Sequence, residues 1–217
     1  YDIRGIVKDD FPKEIVVDLG RAFGTYVRNN NKKNIIVSGD IRLTTPKLKK
    51  WFIEGLINCG IRVIDSGIVP TPTNYFSLFN YDIDGAVQIT GSHNPSNYNG
   101  FKFSFGKKAF FGEQIQELKQ IILNQSFIID NTGSIESKDI ITDYKEMLIK
   151  KITIFKPLNV AMDCGNAVAC LVAPEIYKDL KINITEIFCN VDGSFPNHHP
   201  DPTVDKNLEP LVNIIKG

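Results

Sequence analysis

The chain has 217 residues, of which 42% are hydrophobic and 10% aromatic, values ordinary for a packed globular protein. Its 25 basic and 25 acidic residues cancel, so no overall charge favours nucleic acid or an anionic membrane. No apolar run reaches the roughly 18 residues of a membrane span, no charged-then-apolar leader begins the sequence, and the four cysteines form no C-x-x-C pair. Composition predicts a cytoplasmic protein with reduced thiols and no nucleic-acid or membrane partner. Because the chain begins without methionine, we expect the natural N-terminus to precede Tyr1.

Helices and strands alternate along the first 150 residues. The first helix is predicted over 12–28, where apolar side chains recur at three- and four-residue spacing: Ile15, Leu19, Phe23 and Tyr26. Strands are predicted at 34–38, 61–65, 85–90 and 101–105, and helices from Thr45 to Gly60, up to Phe79, and at 113–123 and 142–150. Alternation of this kind predicts an α/β fold, a layered mixed sheet with flanking helices, over residues 1–150.

The pattern begins again after residue 150. A strand is predicted at 159–163, then a glycine turn and a helix to about residue 180, a strand at 183–188 and a helix at 207–215. This is one βαβ-like unit with too few strands for its own core. We therefore expect residues 151–217 to form the beginning of a second, similar α/β domain.

The loop after the predicted strand 85–90 carries the most chemical information. It presents the hydroxyl of Ser92 between Gly91 and His93 and is closed by Pro95. Loops at strand ends are where α/β sheets place their sites. Glycine, serine, asparagine and proline are also ordinary turn formers, so composition alone leaves a plain turn equally open.

The longer string decides between these interpretations. Thr90-Gly91-Ser92-His93-Asn94-Pro95, followed by Tyr98-Asn99-Gly100-Phe101-Lys102, closely resembles the active-site loop of the α-D-phosphohexomutases, bacterial phosphomannomutase/phosphoglucomutase type. Further motifs agree with that family in the same order: Tyr1-Asp2-Ile3-Arg4-Gly5, Pro70-Thr71-Pro72, Asp163-Cys164-Gly165-Asn166 and residues 192–202. One such motif alone is weak, whereas a collinear set over the whole chain is specific.

The resemblance implies reversible transfer of phosphate between the C6 and C1 oxygens of a hexose phosphate, such as mannose or glucose phosphate, through a bisphosphorylated sugar. Ser92 would carry the phosphoryl group, and Mg²⁺ would be held through the Ser92 phosphate. A glucose 1,6-bisphosphate-type activator and a monomer or weak dimer are also expected.

The resemblance assigns roles to further residues. Lys102 and Arg4 match positions suited to proton transfer or phosphate binding, and His93 belongs to the same catalytic set. The expected substrate contacts are Tyr1, Asn94 and Arg42.

The residues themselves suggest two other chemistries. His93 next to Ser92 suggests a serine hydrolase, but neighbouring side chains in extended backbone point to opposite faces, and there is no G-x-S-x-G elbow. His198 and His199 with Asp201 suggest a metal site. Without cysteine partners or a second spaced histidine pair, a proline-rich structural loop is the better interpretation.

Two departures from the family pattern bear on whether this chain alone can act as a phosphohexomutase. Family members commonly carry Gly-Arg-Asp where this chain has Ser38-Gly39-Asp40, which removes one positive charge near the site. The family's Asp-Gly-Asp-x-Asp-Arg metal loop and its sugar-binding loops are expected beyond Gly217, so the chain is predicted to be inactive alone. Phosphoglucosamine mutase, which usually shows Ser-Ala-Ser-His-Asn-Pro, and a noncatalytic mutase-derived binding module remain as alternatives.

Overall fold

The computed structural model describes residues 3–216. The elements of the first unit are β1 (Ile3–Ile6), α1 (Val7–Asp10), α2 (Lys13–Asn29), β2 (Asn34–Gly39), α3 (Thr45–Asn58), β3 (Arg62–Ile68), α4 (Thr71–Asn80), β4 (Gly85–Ile89), β5 (Tyr98–Phe105), β6 (Lys108–Phe110), α5 (Glu113–Leu123), β7 (Ser134–Ser137) and α6 (Ile141–Lys151). Those that follow are β8 (Asn159–Asp163), a 3₁₀ turn (Val168–Leu171), α7 (Ala173–Asp179), β9 (Asn183–Ile187) and α8 (Asp205–Lys216).

The first unit is built on a seven-stranded mixed sheet in the order β1-β5-β4-β2-β3-β7, with β6 paired to β5. Strands β4, β2, β3 and β7 are parallel, whereas β5 is antiparallel to β1, β4 and β6. This architecture confirms the predicted α/β class with a mixed sheet and flanking helices. The short strands β1, β6 and β7 and helix α1 were not predicted, because segments of three or four residues contain too few periods to read.

Two hydrophobic cores cover the two faces of this sheet. Helices α2, α3 and α5 pack on one face around an aromatic cluster that includes Phe23, Phe52, Phe101 and Phe103. Helices α4 and α6 cover the other face over a smaller core of Ile36, Val69, Leu78, Ala86 and Ile140. Side chains alternate along a strand, so the burial of Phe101 and Phe103 on the first face directs Lys102 to the second.

The second unit contains the parallel pair β8 and β9, with Asn159 opposite Asn183 and Asp163 opposite Ile187. The single helix predicted after residue 166 is divided into the 3₁₀ turn and α7. Pro174 explains the division, because proline is tolerated in the first turn of a helix and not in its interior. Among residues 3–216, no helix is long and apolar enough to cross a membrane.

Candidate active site

The candidate site is built at the carboxyl ends of β2 and β4, which are adjacent and parallel. Asp40 directly follows β2, and Thr90 directly follows β4, so the two segments leave the sheet side by side. The crevice at the carboxyl ends of parallel strands is the usual location of ligand sites in α/β folds. Register alone therefore brings the loop of Ser92 next to Asp40.

Asp40 is the buried acceptor that organises this loop. Its Oδ1 accepts from the Thr45 hydroxyl at 2.7 Å, and its Oδ2 accepts from the Thr90 hydroxyl at 2.7 Å and from the Gly91 N–H at 3.3 Å. The Thr90 Oγ1 in turn accepts from the Ser92 N–H at 2.9 Å. A hydroxyl donates once and accepts through its lone pairs, so Thr90 passes the position of Asp40 on to the backbone of Ser92.

Arg42 holds the same loop from beneath. Its Nη1 donates to the carbonyls of Pro95 at 2.6 Å and Tyr98 at 3.1 Å, and its Nη2 donates to those of Ser92 at 2.9 Å and Asn94 at 2.6 Å. The side chain is 1% exposed. Four backbone carbonyls of the loop thus use the two terminal nitrogens of its guanidinium, and the substrate contact expected of Arg42 stays a prediction.

The buried guanidinium of Arg42 is surrounded by groups that stabilise its charge or leave room for it. Burial lowers the pKa of Arg42, and Asp40, whose Oδ2 lies 3.3 Å from the Arg42 Nε, raises it in part. The guanidinium carbon lies 5.4 Å from the centre of the Phe195 ring, which comes from the second unit. A Cβ on Gly91 would lie 2.5 Å from this carbon, so the loop needs glycine where Arg42 passes beneath it.

Ser92 and His93 contact each other, contrary to the sequence argument. Ser92 has φ of 53°, and its Oγ lies 3.3 Å from the His93 Nδ1. The premise of extended backbone was wrong, because the residue is in the left-handed region, where alternation of side chains does not apply. In the part of the chain that the structure describes, no hydrogen bond joins His93 to a carboxylate that could orient its ring as in a hydrolase.

Asn94 also acts on the loop itself. Its Nδ2 donates to the Gly91 carbonyl at 2.8 Å, and its backbone N–H donates to the same oxygen at 3.0 Å. This bond makes Asn94 a turn-forming side chain, and the substrate contact expected of it stays a prediction. Tyr1, the remaining predicted substrate contact, lies outside the described residues.

Lys102 and Arg4 share one face of the sheet. Lys102 is opposite Gln88 in the β4–β5 ladder, and Arg4 is opposite Gly100 in the β1–β5 ladder. Gly100 and Lys102 are two residues apart on β5, so the side chains of Arg4 and Lys102 leave the sheet on the same side. Lys102 lines the cleft that contains Ser92, and Arg4 is exposed at its outer strand.

The cleft around Ser92 has a volume of about 700 Å³ and lies between the two units. The second unit contributes the following lining residues: Ala167, Val168, Ala169, Val172, Phe195 and Pro200. A cavity of about 740 Å³ lies at the opposite edge of the sheet, but two of its basic side chains are paired, Arg28 with Asp130 and Lys32 with Asp84. The Ser92 cleft, unlike that cavity, combines a hydroxyl, an imidazole and an ammonium group, those of Ser92, His93 and Lys102.

Gly39 replaces the arginine common in the resembled family, and the structure shows why a side chain is excluded here. A Cβ on Gly39 would lie 2.3 Å from the Thr45 Cγ2. Thr45 is fixed by its hydrogen bond to Asp40, so it cannot move aside without disturbing the loop support.

The described residues do not fit a complete metal site. Within residues 3–216, no group of three or more His, Cys, Asp or Glu side chains is arranged to hold a metal ion. Asp40, the carboxylate beneath the loop, is engaged by Thr45, Thr90 and Arg42. His198 bonds to Asp163 at 3.0 Å and to the His199 carbonyl at 2.9 Å, so its ring anchors the proline-rich segment to the end of β8.

Comparison with known proteins identifies the family. Residues 1–128 match the domain described as phosphoglucomutase/phosphomannomutase, alpha/beta/alpha domain I, and residues 142–217 match alpha/beta/alpha domain II of the same family. The chain belongs to the phosphoglucomutase/phosphomannomutase family. It is 39% identical over its whole length to a phosphomannomutase/phosphoglucomutase of Pseudomonas aeruginosa and 40% identical to a phosphoglucomutase of Neisseria gonorrhoeae, covering 47% of each.

Structural comparison agrees with the phosphoglucomutase/phosphomannomutase assignment. A crystal structure of a phosphoglucomutase/phosphomannomutase family protein from Burkholderia thailandensis superposes with a TM-score of 0.95 at 37% identity. The match covers all of this chain and 49% of that one. The chain thus spans about half the length of the relatives it matches.

Sequence reasoning missed several residues that build the phosphoglucomutase/phosphomannomutase-type loop. Asp40 was noted only as part of a motif, and the roles of Thr90 and Phe195 were not foreseen. An acidic residue directly after a buried strand is a signal that could have indicated Asp40. Phe195 had no such signal, since its contact with Arg42 crosses between the units.

Proposed function

We propose that the protein containing this chain is a phosphohexomutase that moves phosphate between the C6 and C1 oxygens of a hexose phosphate, with Ser92 as the phosphoryl carrier. The supporting observation is the left-handed Ser92, whose loop is fixed from beneath by Asp40 and Arg42 and opens into a cleft between two units. Its relatives, named phosphomannomutase or phosphoglucomutase, support both hexose classes.

In the proposed cycle, the Ser92 Oγ forms and breaks one P–O bond. Phosphoserine donates its phosphoryl group to a sugar hydroxyl, which loses its proton, and Ser92 receives a phosphoryl group from the other end of the bisphosphorylated sugar. The numbers of phosphates and protons balance over the two transfers. The reaction requires accurate placement more than covalent activation, because the transferred group carries its charge on peripheral oxygens.

The support of the loop suits such a task. Ser92 N–H is bound to Thr90, and the Ser92 carbonyl is bound to Arg42, so both sides of the residue are fixed by side chains that are themselves buried. The backbone that carries the Oγ is therefore held in place while sugars exchange. Preorganisation of this kind can account for a large share of a rate enhancement, ~7–11 kcal/mol in well-oriented reactions.

Lys102 and Arg4 supply positive charge on the same face as the loop, and His93 lies at hydrogen-bonding distance from the Ser92 Oγ. We assign Lys102 to the proton of the attacking or leaving sugar oxygen. Arg4 and His93 are assigned to phosphate oxygens, since both side chains carry N–H donors and those of a cationic guanidinium make short, strong hydrogen bonds to phosphate. Lys102 and Arg4 would balance part of the charge that a phosphate brings into the cleft.

A divalent cation is part of the proposal for the whole protein, as in the family resemblance, with Mg²⁺ bound to a phosphate oxygen on Ser92. The ion would neutralise charge on the transferring group. The described residues offer no further set of ligands, so no step here is routed through it. A glucose 1,6-bisphosphate-type activator would restore phosphate to Ser92 after a sugar bisphosphate escapes.

One competing activity has an observation in its favour. The contact of 3.3 Å between Ser92 Oγ and His93 Nδ1 is the geometry of a nucleophile and its base, which keeps a serine hydrolase open on that distance alone. The family membership favours phosphoryl transfer. A phosphoglucosamine mutase would place alanine at residue 91, where Arg42 leaves no room.

The test is a coupled mutase assay on the full-length protein with glucose 1-phosphate or mannose 1-phosphate, a sugar bisphosphate and Mg²⁺. Ser92→Ala should abolish turnover, while Ser96→Ala, an exposed serine of the same loop, serves as the matched control and should not. Retained turnover in Ser92→Ala would refute the assignment. Ester hydrolysis without mutase activity would favour the hydrolase.

A further inference from the structure

The second unit reaches back to the first through a loop, residues 190–197. A Cβ on Gly193 would lie 2.3 Å from the Ile41 carbonyl oxygen, so the backbone of the 190–197 loop passes directly against the segment that follows β2. Two residues further on, the Arg42 guanidinium lies over the Phe195 ring, with 5.4 Å between the guanidinium carbon and the ring centre. One short loop therefore makes both a backbone contact and an aromatic contact with the first unit.

Asn166 anchors the 190–197 loop to the end of β8. Its backbone carbonyl accepts from the Asp192 N–H at 3.0 Å, its Nδ2 donates to the Asn190 carbonyl at 2.8 Å, and its Oδ1 accepts from the Asn197 Nδ2 at 2.6 Å. Asn166 is buried and has a φ of 54°, a left-handed conformation that asparagine adopts more readily than most residues. Three bonds from one buried residue thus fix the loop near both of its ends.

Inside the loop, Asp192 forms the turn that presents Phe195. The Asp192 Oδ1 accepts from the N–H of Ser194 at 2.9 Å and from its hydroxyl at 2.7 Å, and the Asp192 carbonyl accepts from the Phe195 N–H at 3.0 Å. Phe195 has a φ of 54°, which a bulky residue keeps only where the surrounding structure imposes it. The hydrogen bonds of the turn therefore determine where the ring lies.

The contact with Phe195 restrains Arg42 in a direction that its hydrogen bonds do not. The two terminal nitrogens of Arg42 donate to four carbonyls of the Ser92 loop. A guanidinium is planar, so donors in its plane restrain it least against tilting out of that plane. An aromatic ring against the guanidinium opposes such tilting, and the attraction is strongest where water is excluded, as it is around a side chain that is 1% exposed.

We propose that Phe195 is a positioning residue for phosphoryl transfer: it holds the Arg42 guanidinium, which in turn holds the loop that carries Ser92. This inference rests on the function proposed for Ser92. The phenyl ring lines the cleft but has no group that could transfer a proton. The two motifs of the second unit, 163–166 and 192–202, thereby act together, because the first anchors the loop and the second supplies the ring.

The experiment compares Phe195→Leu with the parent in the full-length protein. We expect faster hydrogen exchange of the amides of residues 91–98 and a kcat of the mutase reaction lower by about 5- to 30-fold, the loss that a desolvated cation–π contact can account for. KM should stay within about twofold of the parent, since the ring acts on the loop and not on the substrate. Phe195→Tyr keeps the ring and should restore both readouts, and Phe155→Leu, which removes a phenyl that is 95% exposed, should change neither.

Gly193→Ala tests the same contact without changing the ring, and it carries the comparison if Phe195→Leu does not fold. The added Cβ would lie 2.3 Å from the Ile41 carbonyl oxygen, so the loop must shift away from the first unit and take Phe195 with it. We expect the exchange and kcat effects of Phe195→Leu to be reproduced. The double variant should add little to either single change, because both changes break one contact. Effects that add in full would contradict the proposal.

Two further outcomes would overturn it. Unchanged exchange of residues 91–98 in Phe195→Leu would show that the ring does not support the loop. A raised KM with an unchanged kcat would make Phe195 a substrate contact instead. Exchange is measured without substrate, so a parent protein without mutase turnover, combined with faster exchange in Phe195→Leu, would refute the function proposed for Ser92 and still support Phe195 as the residue that holds Arg42.

Discussion

Replacing Arg42 by methionine should both increase the mobility of the Ser92 loop and destabilise the first unit. Methionine keeps much of the side-chain volume and removes the guanidinium, which leaves four carbonyls without their donor and Asp40 without its cation. Breaking a buried ion pair by deleting one partner typically costs about 3–5 kcal/mol, because the remaining charge stays buried. The Asp40 side chain is 10% exposed, so little solvent is available to compensate.

For a chain of about this size, each kcal/mol lowers the melting temperature by roughly 2–4 °C, so Arg42→Met should melt roughly 6–20 °C below the parent. Arg28→Met is the matched control. Arg28 pairs with Asp130 at 2.7 Å at the far edge of the sheet, but both side chains are about 30% exposed. Water screens such an exposed pair, which therefore contributes little to stability, so the control should melt within a few degrees of the parent.

Thermal denaturation followed by circular dichroism measures the difference, and hydrogen exchange of the amides of residues 91–98 measures the loop directly. Asp40→Asn combined with Arg42→Met should recover part of the loss, because it removes the unpaired carboxylate. Equal melting temperatures for Arg42→Met and Arg28→Met, with unchanged exchange in the loop, would refute the assignment of Arg42 as the support of this loop.

Three further changes test other parts of the site. Gly91→Ala should destabilise the chain by about 1–3 kcal/mol in urea titration, because its Cβ would lie 2.5 Å from the fixed Arg42 guanidinium; an unchanged midpoint would contradict this. Burial lowers the pKa of His198, but the bonds of its ring to the His199 carbonyl and to Asp163 outweigh burial and raise the pKa. The stability that these bonds add is therefore complete at pH values below the ordinary histidine pKa and is lost as the pH rises through the raised pKa. Asp163→Asn should lower that pKa in an NMR titration, and no change would contradict the pairing. Lys102→Ala should slow turnover of the full-length protein about 10²–10⁴-fold in the mutase assay, and a change of only a few-fold would remove it from the catalytic set.

The main elements of the fold could be predicted from periodicity, because long helices and buried strands repeat their pattern several times. The prediction 113–123 coincides with α5, and 159–163 with β8. Which side chains of a helix face the core was predicted less well. Ile15 was placed on the apolar stripe of the first helix but is 46% exposed, while Val16 is fully buried. A stripe offset by one residue differs by about 100° around a helix, which a short pattern does not fix.

The candidate site could be located from its motif but not built from it. The motif placed Ser92 at a strand end, whereas the support of the loop depends on Asp40 and Arg42, about fifty residues earlier. These contacts follow from the register of β2 against β4, which cannot be read from the sequence of either strand alone. The positive φ of Ser92 was likewise unpredictable, because serine rarely adopts it unless neighbouring contacts impose it.

The central claim is that Ser92 carries the phosphoryl group. The most direct measurement is to incubate the full-length protein with a hexose 1,6-bisphosphate and Mg²⁺ and to locate covalent phosphate by mass spectrometry of its peptides. The account predicts phosphate on Ser92, and none on this peptide after Ser92→Ala, while Ser96→Ala still becomes phosphorylated at Ser92. Stable phosphate on a different residue, or full mutase turnover with Ser92 unmodified, would contradict it.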